Sequence, residues 1–300
     1  MNKNKVMAYI ALIIVVIMWG ISFVSIKISL DVFSPIAMAF YRFLIATIIL
    51  IIIKRFSSRE KVNKKDYFRL ALSGIFAITI YFICENNGVL RVSANSASII
   101  VATLPIAALI SDKIFYKTKI SKVSIISIIA SILGIYLVIG NDVITGSVTG
   151  YLFLAGSIVS WCGYLVVTKP LFKKYSNLTI TTYQALFGTI AFIPFMPFQT
   201  VNYSGINGVI IINMLFLAVF CSALGNFGYN YAYKELDVTI STLFLNLCPV
   251  VTFIFSFIIL KEKLTFQQVI GAIIIIISVC IVTKPPKEVK QLNDNTTKIG

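Results

Sequence analysis

The chain has 300 residues, 58% of them hydrophobic and only 12% charged; soluble domains carry about 25% charged residues, so no sizeable soluble domain fits. The net charge is +15, but the basic residues sit at segment ends and in alternate loops, not in a stripe with interleaved aromatics. That pattern excludes nucleic acid as the partner and points to a lipid bilayer. Histidine is absent, and the five cysteines (Cys84, Cys162, Cys221, Cys248, Cys280) all lie in apolar stretches without a CxxC pair, so no metal, disulfide framework or cofactor is expected.

At roughly 20 apolar residues per bilayer crossing, the chain divides into ten predicted helices. The first, 6–30, is longer than a signal-peptide core and lacks a small-residue cleavage site, so it reads as an uncleaved helix. It carries Trp19 and Phe23 mid-span and Lys27 near one end. The second, 34–53, holds Arg42 about eight residues in; the third, 68–90, holds Tyr81 and Glu85; the fourth, 93–116, holds Ser98 and Pro105. The fifth, 121–140, is Ile-rich with Ser127 and Gly134. The sixth, 149–171, brings Trp161, Tyr164 and Lys169, and the seventh, 178–198, Gln184. The eighth, 208–233, holds Asn226, Tyr229 and Asn230; the ninth, 238–260, holds Thr242, Asn246 and Pro249. The tenth, 266–284, is Ile-rich with Gly271 and Ser278. Residues 285–300 begin Pro-Pro and are polar, which predicts a disordered cytoplasmic tail.

The two halves nearly repeat. Trp19, Lys27 and Tyr41 recur 142 residues later as Trp161, Lys169 and Tyr183, and Pro105 recurs 144 residues later as Pro249. Five crossings per repeat is an odd number, so the second copy must be inverted, an arrangement common among transporters. Lys and Arg counts fix the orientation. With the N-terminus cytoplasmic, 21 basic residues lie inside and 3 outside, leaving Lys27 and Arg42 within helices. Losing one helix would flip every later loop and scramble this asymmetry. The expected fold is an all-α membrane protein: ten transmembrane helices as two inverted five-helix repeats, 1–145 and 146–284, around a central cavity. The expected placement is the plasma (inner) membrane of a bacterium, multi-pass, with both termini cytoplasmic.

Pro105 and Pro249 each lie about a dozen residues into their spans, near the bilayer midplane. Proline removes a backbone donor and kinks a helix, so these are candidate hinges or cavity walls, or else plain packing kinks. Glu85 is an intramembrane carboxylate, expensive and functional by default. It reads as a substrate amine contact or protonatable coupling group, against an interfacial carboxylate paired with Arg42 or Arg91. For Arg42 a structural ion pair is favoured over substrate contact, and Lys27 and Lys169 read as interface anchors. The candidate substrate-binding set is Trp19, Phe23, Tyr81, Glu85, Ser98, Trp161, Tyr164, Asn226, Tyr229, Asn230, Thr242 and Asn246. Their aromatic and polar groups at mid-span suit an apolar cavity with a few hydrogen-bonding points; the competing reading is interhelical glue. Small residues in the fifth and tenth helices suit close packing or a homodimer face.

Several stretches together resemble the EamA-type transporters of the drug/metabolite superfamily over about residues 6–284. They are Met18-Trp19-Gly20 with Phe23, Ser160-Trp161-Cys162-Gly163, and Tyr41-Arg42-Phe43-Leu44-Ile45-Ala46. Leu104-Pro105-Ile106, Cys248-Pro249-Val250, and Leu260-Lys261-Glu262-Lys263-Leu264-Thr265 followed by Gly271 complete the set. The chain departs from the pattern at Thr118, where the first repeat would match Glu262, and at Gln184, the counterpart of Arg42. The resemblance implies ten helices, with the first, third, fourth, sixth, eighth and ninth around the cavity, and export of amino acids or related small-molecule substrates.

The leading expectation is therefore a secondary transporter of small organic metabolites working by alternating access. No GxxxxGK[ST] motif is present to bind ATP. The alternatives are a membrane-embedded lipid-modifying enzyme, which would need clustered carboxylates, histidines or an activated nucleophile, and a scaffold without transport.

Overall fold

A computed structural model describes residues 3–58, 60–92, 97, 100–101, 103–117, 121–139, 148–236, 238–260 and 266–283. Apolar runs too long for anything but helix dominate, and the described residues form α1 (Lys3–Ser29), α2 (Pro35–Ser57), α3 (Lys64–Arg91), α4 (Leu104–Tyr116) and α5 (Lys122–Ile139). These are followed by α6 (Val148–Lys173), α7 (Asn177–Phe198), α8 (Gly208–Glu235), α9 (238–260) and α10 (Phe266–Thr283). Seven of them, α1, α2, α3, α6, α7, α8 and α9, are long and apolar enough to cross a membrane, and α5 and α10 carry shorter apolar stretches. Boundaries have local causes: Pro35 opens α2 at the position where a missing N–H costs nothing, and the side chains of Ser176 and Asn207 cap α7 and α8. Ser98, Thr118 and the Lys261–Thr265 loop, together with the 285–300 tail, lie outside the described residues.

The helices pair antiparallel. Along α2 and α7, Ser34 meets Gln199 (2.9 Å), Thr47 meets Thr189 (2.9 Å) and the Lys54 ammonium lies 5.6 Å from the Tyr183 ring. Along α3 and α6, Ser73 bonds Thr168 (2.6 Å) and Ser160 donates to the Phe76 carbonyl (2.6 Å). Along α1 and α8, Tyr231 donates to the Asn4 carbonyl (3.4 Å) and Trp19 to that of Cys221 (2.9 Å). Two contacts, Trp19 with Trp161 and Thr47 with Thr189, join a residue to its counterpart 142 positions on.

Both α3 and α8 contain a wide π-helical stretch, Ile75–Ile80 and Phe216–Leu224. Such stretches free carbonyls from the regular ladder, and here Phe76 and Cys221 offer theirs to Ser160 and Trp19. α9 is interrupted by a 3₁₀ turn at Leu245–Leu247 just before Pro249, and a turn at Thr103 precedes Pro105. Each proline thus sits at the start of a helical piece, where its ring clashes with nothing.

α5 and α10 pack face to face: a Cβ on Gly134 would lie 2.8 Å from the Gly271 carbonyl oxygen. Ser127 and Ser278 are buried as well. These small residues are engaged within one chain.

Loops tie the bundle at both ends. At the end rich in lysine and arginine, Lys174 and the Tyr175 hydroxyl donate to Asp66 (2.8 Å each). There the Ser176 amide and hydroxyl also donate to the Glu60 carboxylate, the hydroxyl at 2.6 Å. At the opposite end the tie is backbone: Ser34 N–H donates to Thr200 O (3.0 Å), Asn202 N–H to Val32 O (2.8 Å), and Phe33 bridges Val201 antiparallel. Lys27 donates to the carbonyls of Val89 (3.1 Å) and Val92, so it seals the end of α3. Lys169 pairs with Asp112 rather than acting as a plain interface anchor.

Candidate functional site

A cavity of about 50 Å³ lies at the centre of the bundle, walled by α1, α2, α3, α6, α8 and α9 together with Val101 and Leu104. One wall is aromatic. The Trp19 and Trp161 rings meet edge-on at 5.7 Å, Tyr81 approaches Trp161 at 5.0 Å, and Tyr229 stacks on Trp19 at 5.4 Å. Trp19 is held by its bond to the π-helical carbonyl of Cys221, and its indole lies against Gly225, where a Cβ would come within 2.6 Å of Nε1. Only glycine allows that approach.

The other wall is charged. Arg42 is 2% exposed; its Nε donates to Ser222 Oγ (2.8 Å) and its guanidinium lies 4.6 Å from the Phe82 ring centre and 5.3 Å from that of Phe43. Its Nη1 is buried without a hydrogen-bond partner. Glu85 accepts a bond from the Tyr81 hydroxyl at 2.9 Å, one helical turn away. Both charges line the cavity, yet they are not in salt-bridge contact: among the described residues the ion pairs are Lys169–Asp112 and Lys174–Asp66. Burying an ion costs several kcal/mol unless a partner repays it. A cation–π contact returns only about 0.5–2 kcal/mol. A ligand bearing both signs would repay the rest.

At roughly 10–15 Å³ per water, the cavity holds a few waters. A smaller cavity of about 10 Å³ adjoins it, and Asn226 lines both. Around it runs a closed hydrogen-bond network: the Tyr164 hydroxyl donates to Asn230 (2.5 Å), Asn230 to Gln184 (2.8 Å) and Thr181 (2.9 Å), and Gln184 to Ser73 (2.6 Å).

The comparisons with known proteins identify the family. The model of the EamA-like transporter family matches this chain twice, over residues 6–140 and 148–284. The chain belongs to the EamA-like transporter family. An uncharacterized transporter from Archaeoglobus fulgidus is 29% identical over 276 residues, covering 92% of this chain and 98% of that protein. The uncharacterized transporter YyaM of Bacillus subtilis is 30% identical over 283 residues, 90% and 92% of the two chains. A probable terminal-alkyne amino-acid exporter from Streptantibioticus cattleyicolor is 23% identical, over 91% and 92%. A solved crystal structure shares the fold with a TM-score of 0.74 at 13% identity, covering 92% of this chain and 96% of that one. The chain is a multi-pass membrane protein of a transporter family.

Within this EamA-like bundle the predicted site residues separate into groups. Trp19, Phe23, Tyr81, Glu85, Trp161, Asn226 and Pro249 share the central cavity. Tyr164 and Asn230 line the smaller one. Tyr229 backs Trp19, Thr242 donates to the carbonyl of Val238 in its own helix (2.6 Å), and Asn246 donates to Ser131 of α5 (2.9 Å). Pro105 lies one residue beyond cavity-lining Leu104. Arg42 was expected in an ion pair and has none among the described residues; it lines the cavity instead. Ser22 and Phe82 also line the cavity and carried no sequence signal, being ordinary residues of apolar helices; Cys248, beside Pro249 in one of the stretches that carry the resemblance, lines it too.

Proposed function

We propose that this protein is a secondary transporter that exports small zwitterionic metabolites, amino acids and close relatives, by alternating access. Its parts are two inverted five-helix repeats, 1–145 and 146–284, in the plasma membrane of a bacterium with both termini cytoplasmic. The observation that carries the reading is the pairing of Arg42 and Glu85 in one aromatic-walled cavity without contact between them. Arg42 would hold a substrate carboxylate through its unpartnered Nη1, and Glu85 the ammonium, while the tryptophans face the side chain. The inverted repeat is supported by the double family match, the antiparallel run of α2 against α7, and the contacts of Trp19 and Thr47 with their own counterparts, which a two-fold axis between the repeats requires. The hinges of the proposal are Pro105, at the start of α4, and Pro249, just beyond the 3₁₀ turn in α9. The two end ties would open in turn, one yielding while the other holds. Export is supported by the name of one relative. The lipid-modifying alternative receives no support from relatives named as transporters.

Reconstitution in liposomes with a panel of labelled amino acids tests this. We expect saturable flux, competed by zwitterions and not by simple amines or carboxylates. No flux above protein-free liposomes across the panel, with the protein folded, would count against it.

A further inference from the structure

Lys54 and Arg55 lie in the last turn of α2, the loop that follows adds Lys61, and α3 opens on Lys64 and Lys65. Between the end of α2 and the start of α7 the surface opens into a groove of about 780 Å³. Its floor and rim are Lys54, Arg55, Phe56 and Ser58 on one side and Thr182, Tyr183 and Leu186 on the other. The one carboxylate there, Glu60, is engaged by the amide and hydroxyl of Ser176. The Lys54 ammonium stands 5.6 Å from the Tyr183 ring centre and donates to the Glu60 carbonyl (3.2 Å). Arg55 is exposed and, among the described residues, has no hydrogen bond or ion pair.

The groove is amphipathic along its depth. Ile48, Ile51 and Ile52 of α2 and Ile190 of α7 expose apolar surface toward the middle of the span (Ile51 40%, Ile52 51%), and Phe56 stands out at 87%. Basic groups sit only at the outer rim of this strip. The positions 142 residues after Lys54 and Arg55, at the other end of the bundle, are Met196 and Pro197 and bring no charge.

We propose that this groove binds the headgroup phosphodiester of an anionic phospholipid from the leaflet at the basic end. Arg55 and Lys54 hold the phosphate, and an acyl chain lies along Ile51, Ile48 and Leu186. Clustered basic residues beside a membrane helix attract anionic lipid, and the apolar Ile51, Phe56 and Leu186 in the same groove select a lipid over free phosphate. The proposal is independent of what the central cavity carries.

The test uses the full chain in nanodiscs of phosphatidylcholine with or without phosphatidylglycerol, counting retained lipids by native mass spectrometry. Wild type should keep phosphatidylglycerol selectively, and Arg55→Gln should lose about fivefold in that selectivity, the effect of one basic group near an anionic surface. Arg55→Lys should restore most of it, and Lys3→Gln, a basic residue elsewhere in the chain, should change nothing. Equal retention of the two lipids by wild type, or equal loss in Lys3→Gln and Arg55→Gln, overturns the proposal. Competition by millimolar glycerol phosphate equal to that by the lipid would reassign the groove to a soluble anion and overturn the lipid assignment.

Discussion

Glu85→Gln is the most informative single change. The amide is isosteric, and its oxygen still accepts the bond from Tyr81, so the local geometry survives while the charge goes. If Glu85 receives the substrate ammonium, the change removes one charge-assisted hydrogen bond, worth about 1.5–3 kcal/mol. That corresponds to roughly a 10- to 150-fold loss of affinity. The contrast between ligands carries the argument. A zwitterionic amino acid should weaken by that factor, while its des-amino analogue, which never touched Glu85, should bind as before. Arg42→Gln should show the reverse, sparing the decarboxylated amine. Calorimetric titration of the purified protein with the three ligands measures all of these. Equal loss for every ligand in both variants would refute the reasoning, since it would make the two charges scaffolding; no loss for any ligand would remove them from the site.

Other expectations follow from single contacts. Gly225→Ala should drive Trp19 off its bond to Cys221, costing roughly 2–3 kcal/mol from overpacking and the lost bond; a red-shifted tryptophan emission with a lowered Tm checks it, and an unshifted spectrum contradicts it. Gly134→Val should separate α5 from α10 and lower Tm by several degrees without changing ligand affinity at the remaining folded fraction; unchanged Tm would mean the two helices do not pack as described. At the basic end, burial alone would raise the Glu60 carboxyl, but hydrogen bonds from Ser176 and Thr179 hold it below the usual carboxylate range. A depressed folded pKa means the tie is fully formed above the unfolded value near about 4.3 and fails as pH falls through the folded value. The emission of an environment-sensitive fluorophore attached beforehand to a cysteine at Lys173 should therefore be flat from about pH 6 to 8 and change only below about pH 4; a change between pH 6 and 8 assigns that end to another group.

Much of this was legible in the sequence because a bilayer leaves few options. Most helix boundaries fell within a few residues, since Ser, Asn and Pro cap or open the helices where they stand; the start placed at residue 93 for the fourth lies outside the described residues. The central pair Trp19 and Trp161 was visible as a repeat, and the structure places the two rings in contact. What was not legible depends on three-dimensional register. Nothing in the residues between Ile75 and Ile80 or Phe216 and Leu224 signals a π-helical stretch, because the widening is set by neighbours that claim the freed carbonyls. Tyr164 and Asn230 line the smaller cavity and also join a hydrogen-bond network with Gln184, a partnership that no spacing in the sequence indicates. Arg42 reads as half of an ion pair, yet among the described residues it has none, a distinction no linear pattern encodes.

The account's central claim is alternating access between two ties, and cross-linking them tests it most directly. In a background whose own cysteines are replaced, Phe33→Cys with Val201→Cys bridges one end, and Glu60→Cys with Ser176→Cys, joined by a short thiol cross-linker, bridges the other. Either lock alone should stop flux of labelled amino acid through liposomes, and cleavage of the cross-link should restore it. Undiminished flux with either end locked would contradict the claim.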